Sequence, residues 1–176
     1  MKYLISEQQY NLIKDEEILS VPFDFFDNDW NKVLRVMKGR PFQIEGNLDL
    51  ERRKIESLEN LQSVKGWLDL GYSKIESLGN LKFVEEKFNL RGSNLKSLGN
   101  LEYVGGFFDL YGSSIESLGN LESVGGSLDL FGSKIKSLGN LKSIGGWLDL
   151  RHTPLSDRYT GYEITKMIDI NGEIYI

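Results

Sequence analysis

One sentence of twenty residues is written five times in succession. It reads "GNLDLERRKIESLENLQSVK" from 46, "GWLDLGYSKIESLGNLKFVE" from 66 and "EKFNLRGSNLKSLGNLEYVG" from 86. "GFFDLYGSSIESLGNLESVG" follows from 106 and "GSLDLFGSKIKSLGNLKSIG" from 126. A sixth copy opens as "GWLDLRHTPLS" at 146 and decays, yet Ile168 and Ile170 still stand twenty residues beyond Leu148 and Leu150. A fixed period of this length marks a solenoid, in which each repeat is one coil that buries its apolar edge only against its neighbours.

The apolar letters of one row give the coil its shape. In the row from 66 they are Leu68, Leu70, Ile75, Leu78, Leu81 and Val84. The step of two from Leu68 to Leu70 is strand spacing, with both leucines inward and Asp69 outward. The steps of three from Leu78 to Leu81 to Val84 fit turns or short 3₁₀ pieces, and Ile75 in "KIES" fits a second short extended segment. Coils so built stack at roughly 4.8 Å, the spacing of parallel strands.

The fixed polar letters read as folding devices. Ser73, Ser93, Ser113, Ser133 and Thr153 stand at the corner after the strand, where a hydroxyl can bond a free backbone group. Asn60, Asn80, Asn100, Asn120 and Asn140 suit an amide ladder or a turn cap. The pairs Gly105-Gly106 and Gly125-Gly126 suggest positive φ before the strand, although Glu85-Glu86 fills the same slot.

The pattern "LDLxxSxIxSLGNLxxVGG" over residues 46–150 resembles the leucine-rich repeats. It is most similar to a short variant found in proteins of tailed bacteriophages, which read like "GGxxxxSxNxLTSLxxxPxxVGG". "SLGNL", the "S-x-I/L" corner and "VGG" carry the resemblance. It implies a binding scaffold and brings no catalytic residues. By analogy it points to a host protein, such as a defence component, as partner, or to a virion component. Longer repeats of this class carry a convex helix, for which twenty residues leave little room.

The ends of a solenoid need covers, because open strand edges pair with neighbours. Residues 1–45 read as a helical N-terminal cap. Ser6 can cap a helix through "EQQYNLIK", and Asp27 or Asp29 a second through "WNKVLRVMKGR" ending at Gly39. "PFQIEG" supplies an extended entry, and "VPFDFFDNDW" reads as capping core rather than a docking loop. The solenoid runs over 46–165. Residues 166–176 form a C-terminal cap, read as a further rung and an "NG" turn, with a short helix ahead of a small hairpin. The whole is an α+β, leucine-rich-repeat-like parallel β-solenoid of one structural domain.

Composition narrows the function. A net charge of −5 and the lack of a basic stripe argue against nucleic acid. The absence of Cys removes disulfides, thiolate metal sites and a cysteine nucleophile. It fits a cytoplasmic setting, and "MKYLISEQQYNLIKDEE" has no run apolar enough for a signal peptide or membrane span.

Recognition then falls to the letters that vary on the outward side of the strand. One column reads Asn47, Trp67, Lys87, Phe107, Ser127, Trp147. The middle column reads Asp49, Asp69, Asn89, Asp109, Asp129, Asp149, and the third Glu51, Gly71, Arg91, Tyr111, Phe131, Arg151. All share one face. Surface aromatics mark contact sites and lead the hot spots of interfaces. Stacked carboxylates repel by roughly 1 kcal/mol in water, which Lys87, Arg91 and Arg151 can offset.

The expected function is non-enzymatic binding of a protein partner through this face. A solvated sheet with shielding aromatics is the plainer reading, and a sugar ring held by aromatics beside carboxylates is another. A calcium ladder would have few oxygens per ion. Glycoside hydrolysis by Asp109 with Asp129 needs one raised pKa, to which a row of identical residues is poorly suited. The lone His152 has no partner motif, and no cofactor or metal is called for. The opposite strand, with Glu56, Glu76, Lys96, Glu116 and Lys136 beside Lys54, Lys74 and Lys134, is a solvated, charge-balanced face.

Overall fold

The structure is a computed structural model and describes residues 18–176. It is a parallel β-solenoid with two walls, an eight-stranded and a seven-stranded sheet. The helix expected from Ser6 through "EQQYNLIK" lies outside the described residues.

The seven-stranded wall is made of the outward-Asp strands: Leu48–Asp49, Leu68–Asp69, Phe88–Asn89, Phe108–Asp109, Leu128–Asp129, Leu148–Asp149 and Ile174–Tyr175. The register between repeats is the sequence period, with Leu48 beside Leu68 and Leu128 beside Leu148. Leu68, Leu148 and their equivalents are buried, so the strand faces the way its spacing of two requires.

The second wall is not where "KIES" was expected to put it. It runs through Leu61–Val64, Phe83–Val84, Tyr103–Val104, Ser123–Val124 and Ser143–Ile144. The "KIES" segments are joined only by single bridges, such as Ser57 to Ser77 and Ser97 to Ser117. The reason is local: in each coil the Ser77 type of hydroxyl accepts the N–H two residues on (Gly79 N–H, 3.0 Å), which turns the chain before a strand can extend. Leu81 N–H then bonds Leu78 O at 3.1 Å, the tight turn that the step of three predicts.

Glycine answers to two constraints here, and Gly79 and Gly139 meet both, since a Cβ on them would lie 2.1 Å from Glu59 O and 2.5 Å from Gly119 O. The glycines of "SLGN" hold positive φ, as at Gly79 (58°), and in the first coil Glu59 is forced into the same conformation (φ 53°). A non-glycine residue there is strained by about 1 kcal/mol. Glu59→Gly is therefore expected to raise stability by roughly 0.5 kcal/mol after the added freedom of the unfolded chain is subtracted. A urea melt measures this, and a loss would show that the Glu59 side chain contributes more than its backbone costs.

The "VGG" pairs, by contrast, do not adopt positive φ. Their lack of a side chain answers to crowding: a Cβ on Gly105 would sit 1.9 Å from Glu85 O, and one on Gly145 2.0 Å from Gly125 O.

The buried serine corner is built as expected at its two ends. Ser73 and Thr153 donate to Leu70 O and Leu150 O, each at 2.7 Å. In the coils between, the backbone N–H of Ser93, Ser113 and Ser133 makes that contact, and their buried hydroxyls have no partner among the described residues. The asparagines form a mixed ladder. Asn80 donates to Asn60 Oδ1 at 2.8 Å, whereas Asn100 and Asn120 donate to Gly79 O and Gly99 O in the coil above.

The N-terminal region adds strands to its helix. Leu19–Pro22 and Phe42–Glu45 begin the eight-stranded wall, and the helix Trp30–Met37 lies between them in the chain. Asp29 caps that helix by accepting from Asn31 and Lys32 N–H. Phe23, Phe26 and Trp30 of the aromatic piece are buried, so this piece is core.

At the far end the period does slip. Asp169–Ile170 pairs with Ser143–Ile144 and joins the eight-stranded wall, so Ile168 and Ile170 do not stand over Leu148 and Leu150. Ile174–Tyr175 takes that place. The extra length holds the one-turn helix Gly161–Ile164, closed by a reciprocal Thr160–Glu163 capping box. "NG" is thus not a hairpin turn but the corner between walls: Asn171 and Gly172 N–H bond Ile144 O and Gly146 O, as Gly145 and Gly146 bond Val124 O and Gly126 O one coil earlier. No helix among the described residues is long and apolar enough to cross a membrane.

Candidate functional site

The outward face of the seven-stranded wall carries three columns, and each has its own chemistry. The middle column ends the strands. Every member accepts the N–H two residues on: Asp69 from Gly71 (2.8 Å), Asn89 from Arg91, Asp109 from Tyr111, Asp129 from Phe131 (each 2.9 Å) and Asp149 from Arg151 (3.0 Å). This Asx turn is why the strands are two residues long. The alternation that suggested a row of ligands is first a row of caps.

Repulsion along that row is relieved unevenly. Asn89 Nδ2 bonds both oxygens of Asp69 at 3.0 Å, across a space that a Cβ on Gly71 would fill. Arg91 Nη1 stands 3.5 Å from Asp109 Oδ2. Arg151 grips Asp149 through Nε and Nη2, the latter at 2.5 Å. Burial pushes the Asp149 carboxyl up, but these bonds outweigh it and hold the group below its ordinary value. Asp129 makes no ion pair among the described residues, and the Arg91 and Arg151 guanidiniums act on it only at longer range. Burial raises its pKa, and the carboxylates of Asp109 and Asp149 on either side raise it further, against the Phe131 N–H.

A carboxyl whose pKa is raised by folding favours the native state below the ordinary value of 3.8 and loses that advantage as pH rises. Asn at this position keeps the capping oxygen, as Asn89 shows, and offers an amide to a neighbouring carboxylate. Asp129→Asn is expected to stabilise the protein at pH 7 by about 0.5 kcal/mol, or 1–2 °C in Tm, with the gain vanishing toward pH 3. Paired melts at the two pH values check it, and a gain independent of pH would remove the electrostatic explanation.

The third column is a self-stacked ladder. Arg91 lies 3.8 Å over the Tyr111 ring, Tyr111 stacks on Phe131 at 5.0 Å, and Arg151 sits between Phe131 (5.4 Å) and Tyr175 (5.3 Å). Arg91 Nε also donates to Tyr72 OH at 3.3 Å, a contact that raises the Arg91 pKa. Arg52 stands 5.8 Å from the Tyr72 ring. Tyr72, Tyr175 and Arg52 were not among the expected site residues. Tyr72 occupies a turn slot at φ 53° that Gly92, Gly112 and Gly132 fill elsewhere, and that break in the glycine row is the signal. Stacking of this kind is worth about 0.5–1.5 kcal/mol per contact, so these rings serve one another as well as the surface.

The first column is the most open. Its polar members act on the backbone, Asn47 Oδ1 and Ser127 Oγ accepting the N–H of Trp67 and Trp147, each at 3.1 Å. Phe107 leans across Ser127 to Trp147, with ring centroids 5.7 Å apart. Between Trp67 and Phe107 lies an open groove of about 360 Å³, with Lys87, Asn89, Asp69 and Asp109 along it. Lys87 is exposed and makes no ion pair among the described residues.

All twelve expected residues are thus on one wall, divided between capped carboxylates, the cation–aromatic ladder and the groove. Among the described residues no group of three or more His, Asp or Glu side chains is arranged to hold a metal ion. Phe83 and Tyr103 form a second exposed aromatic pair, side by side on the other wall. Comparison of the chain with known protein families, with curated proteins and with solved structures finds no match.

Proposed function

We propose that the protein is a non-catalytic recognition module that binds a protein partner through the seven-stranded wall. The groove between Trp67 and Phe107 carries this reading, because its rings stand half-exposed around space that the fold leaves open. Rings in such positions dominate interface energies. The carboxylates beside them are spent on capping and pairing, which favours binding over acid–base chemistry. The resemblance of the repeat to short phage repeats supports a phage protein acting on a host protein in the host cytoplasm, with a virion component as the other outcome of that analogy.

A pull-down from host lysate, run with wild type and with Trp67→Ala and Trp147→Ala, tests the reading. Both variants are expected to lose the captured protein while keeping the wild-type circular dichroism spectrum. Retention of the same partners by both would overturn it. The groove also favours a second reading, a sugar ring stacked on Trp67 or Phe107 and bonded by Asp69 or Asn89. A rise in Tm with one saccharide of a panel would select it.

A further inference from the structure

Resting on that reading, the pattern of satisfied and unsatisfied charges says what the partner must carry. On the outward face, Asp69 is held by Asn89, Asp109 by Arg91 and Asp149 by Arg151. Arg91 and Arg151 are further fixed on rings. Within the aromatic part of the wall the Lys87 ammonium and the Asp129 carboxylate make no ion pair and no hydrogen bond to another side chain among the described residues, and Arg91 and Arg151 act on Asp129 only at longer range. Asp49 makes no ion pair among them either, but it lies exposed in the first strand, where water solvates it. Asp129 is half-buried, with the Phe107–Trp147 pair on one side of its column and the Tyr111–Phe131 stack on the other.

Lys87 and Asp129 are two coils apart along the solenoid and two residues apart along the strand. At 4.8 Å per coil and 3.3 Å per residue they are separated by about 12 Å. That is the span of three to four residues of an extended chain. The half-exposed Phe107 ring lies between them and offers an apolar landing point.

We infer that the partner docks an extended segment along the solenoid axis, with an acidic side chain at Lys87 and a basic side chain three or four residues away at Asp129. The bipolar arrangement fixes direction as well as position, since the reversed segment places like charges together at both ends. Complementary charges at partly covered sites set orientation and partner choice in this way.

The test uses a random dodecapeptide phage-display library selected on the immobilised full chain. Enriched peptides are synthesised and titrated against wild type, Lys87→Ala, Asp129→Asn and Trp67→Ala. The expected result is peptides that share an acidic and a basic residue three or four positions apart. Lys87→Ala and Asp129→Asn should each weaken them about tenfold. Replacing the peptide's acidic residue by its amide should abolish the effect of Lys87→Ala while leaving that of Asp129→Asn. Peptides that lose affinity with Trp67→Ala but are indifferent to Lys87→Ala and Asp129→Asn would overturn this inference and leave the protein-binding reading intact. Failure to enrich any peptide, or peptides indifferent to Trp67→Ala as well, would overturn both.

Discussion

Gly125→Ala is expected to destabilise the protein by about 3 kcal/mol, while Gly132→Ala, seven residues on, costs about 1 kcal/mol. The two glycines look alike in the sequence and differ in what surrounds them. At Gly132 the backbone holds φ 64° with no atom within 4 Å of an added Cβ, so only conformational strain opposes a side chain. At Gly125 the added carbon would lie 2.3 Å from Gly105 O and 3.1 Å from Gly105 C. Those atoms are backbone in the adjacent coil and cannot swing aside. Gly125 N–H is bonded to Val104 O, and Gly145 N–H to Val124 O, both at 2.8 Å, so making room means opening the ladder on both sides. Chemical denaturation of the two variants gives the ratio directly. Equal losses would show that the corner can open, as it must do where Glu85 and Glu86 occupy the same slot.

That pair of glycines shows where sequence reading stops. The period alone sets the register, since a twenty-residue repeat leaves one way to place Phe88 between Leu68 and Phe108. It also gives the inward leucines and, through Asp29, the start of the helix at Trp30. But a repeated glycine signals only that a side chain is unwelcome, not whether positive φ or a neighbouring carbonyl excludes it. The second wall escaped notice for a related reason. Its paired strands are two residues long in most coils, too short for alternation to appear, and Val84 fits the spacing of a turn equally well.

The candidate site was legible as a set of columns but not as a set of interactions. Which aspartates find a side-chain partner depends on Gly71 leaving room for the Asn89 amide and on Arg91 lying back over Tyr111. Neither is a property of spacing. The slip at the C-terminus was hidden by coincidence, because Ile168 and Ile170 repeat the leucine spacing while six inserted residues shift the true equivalent to Ile174.

Phe108→Ala is expected to cost about 4 kcal/mol and to lower Tm by about 10 °C. Phe88 and Phe108 stand in two adjacent coils where the other repeats carry leucine. Both are fully buried, and their rings stack at 5.0 Å with 4° between planes. Truncating one ring leaves a hole in the middle of the stack and removes the partner of the other. A solenoid is stabilised only through neighbouring coils, so a weak interface at mid-length uncouples the two halves. Unfolding of Phe108→Ala should therefore broaden or split into two steps, which a core mutation in a layered globular domain does not require. Phe108→Leu restores the common letter yet faces Phe88 with a mismatched neighbour. The double variant Phe88→Leu/Phe108→Leu should be less destabilised than the sum of the two single changes by about 1 kcal/mol, the share belonging to ring-on-ring contact. Strict additivity in that cycle would reduce the stacked pair to two independent large residues. A single sharp transition for Phe108→Ala would show that coupling along the coils survives a gap at the centre.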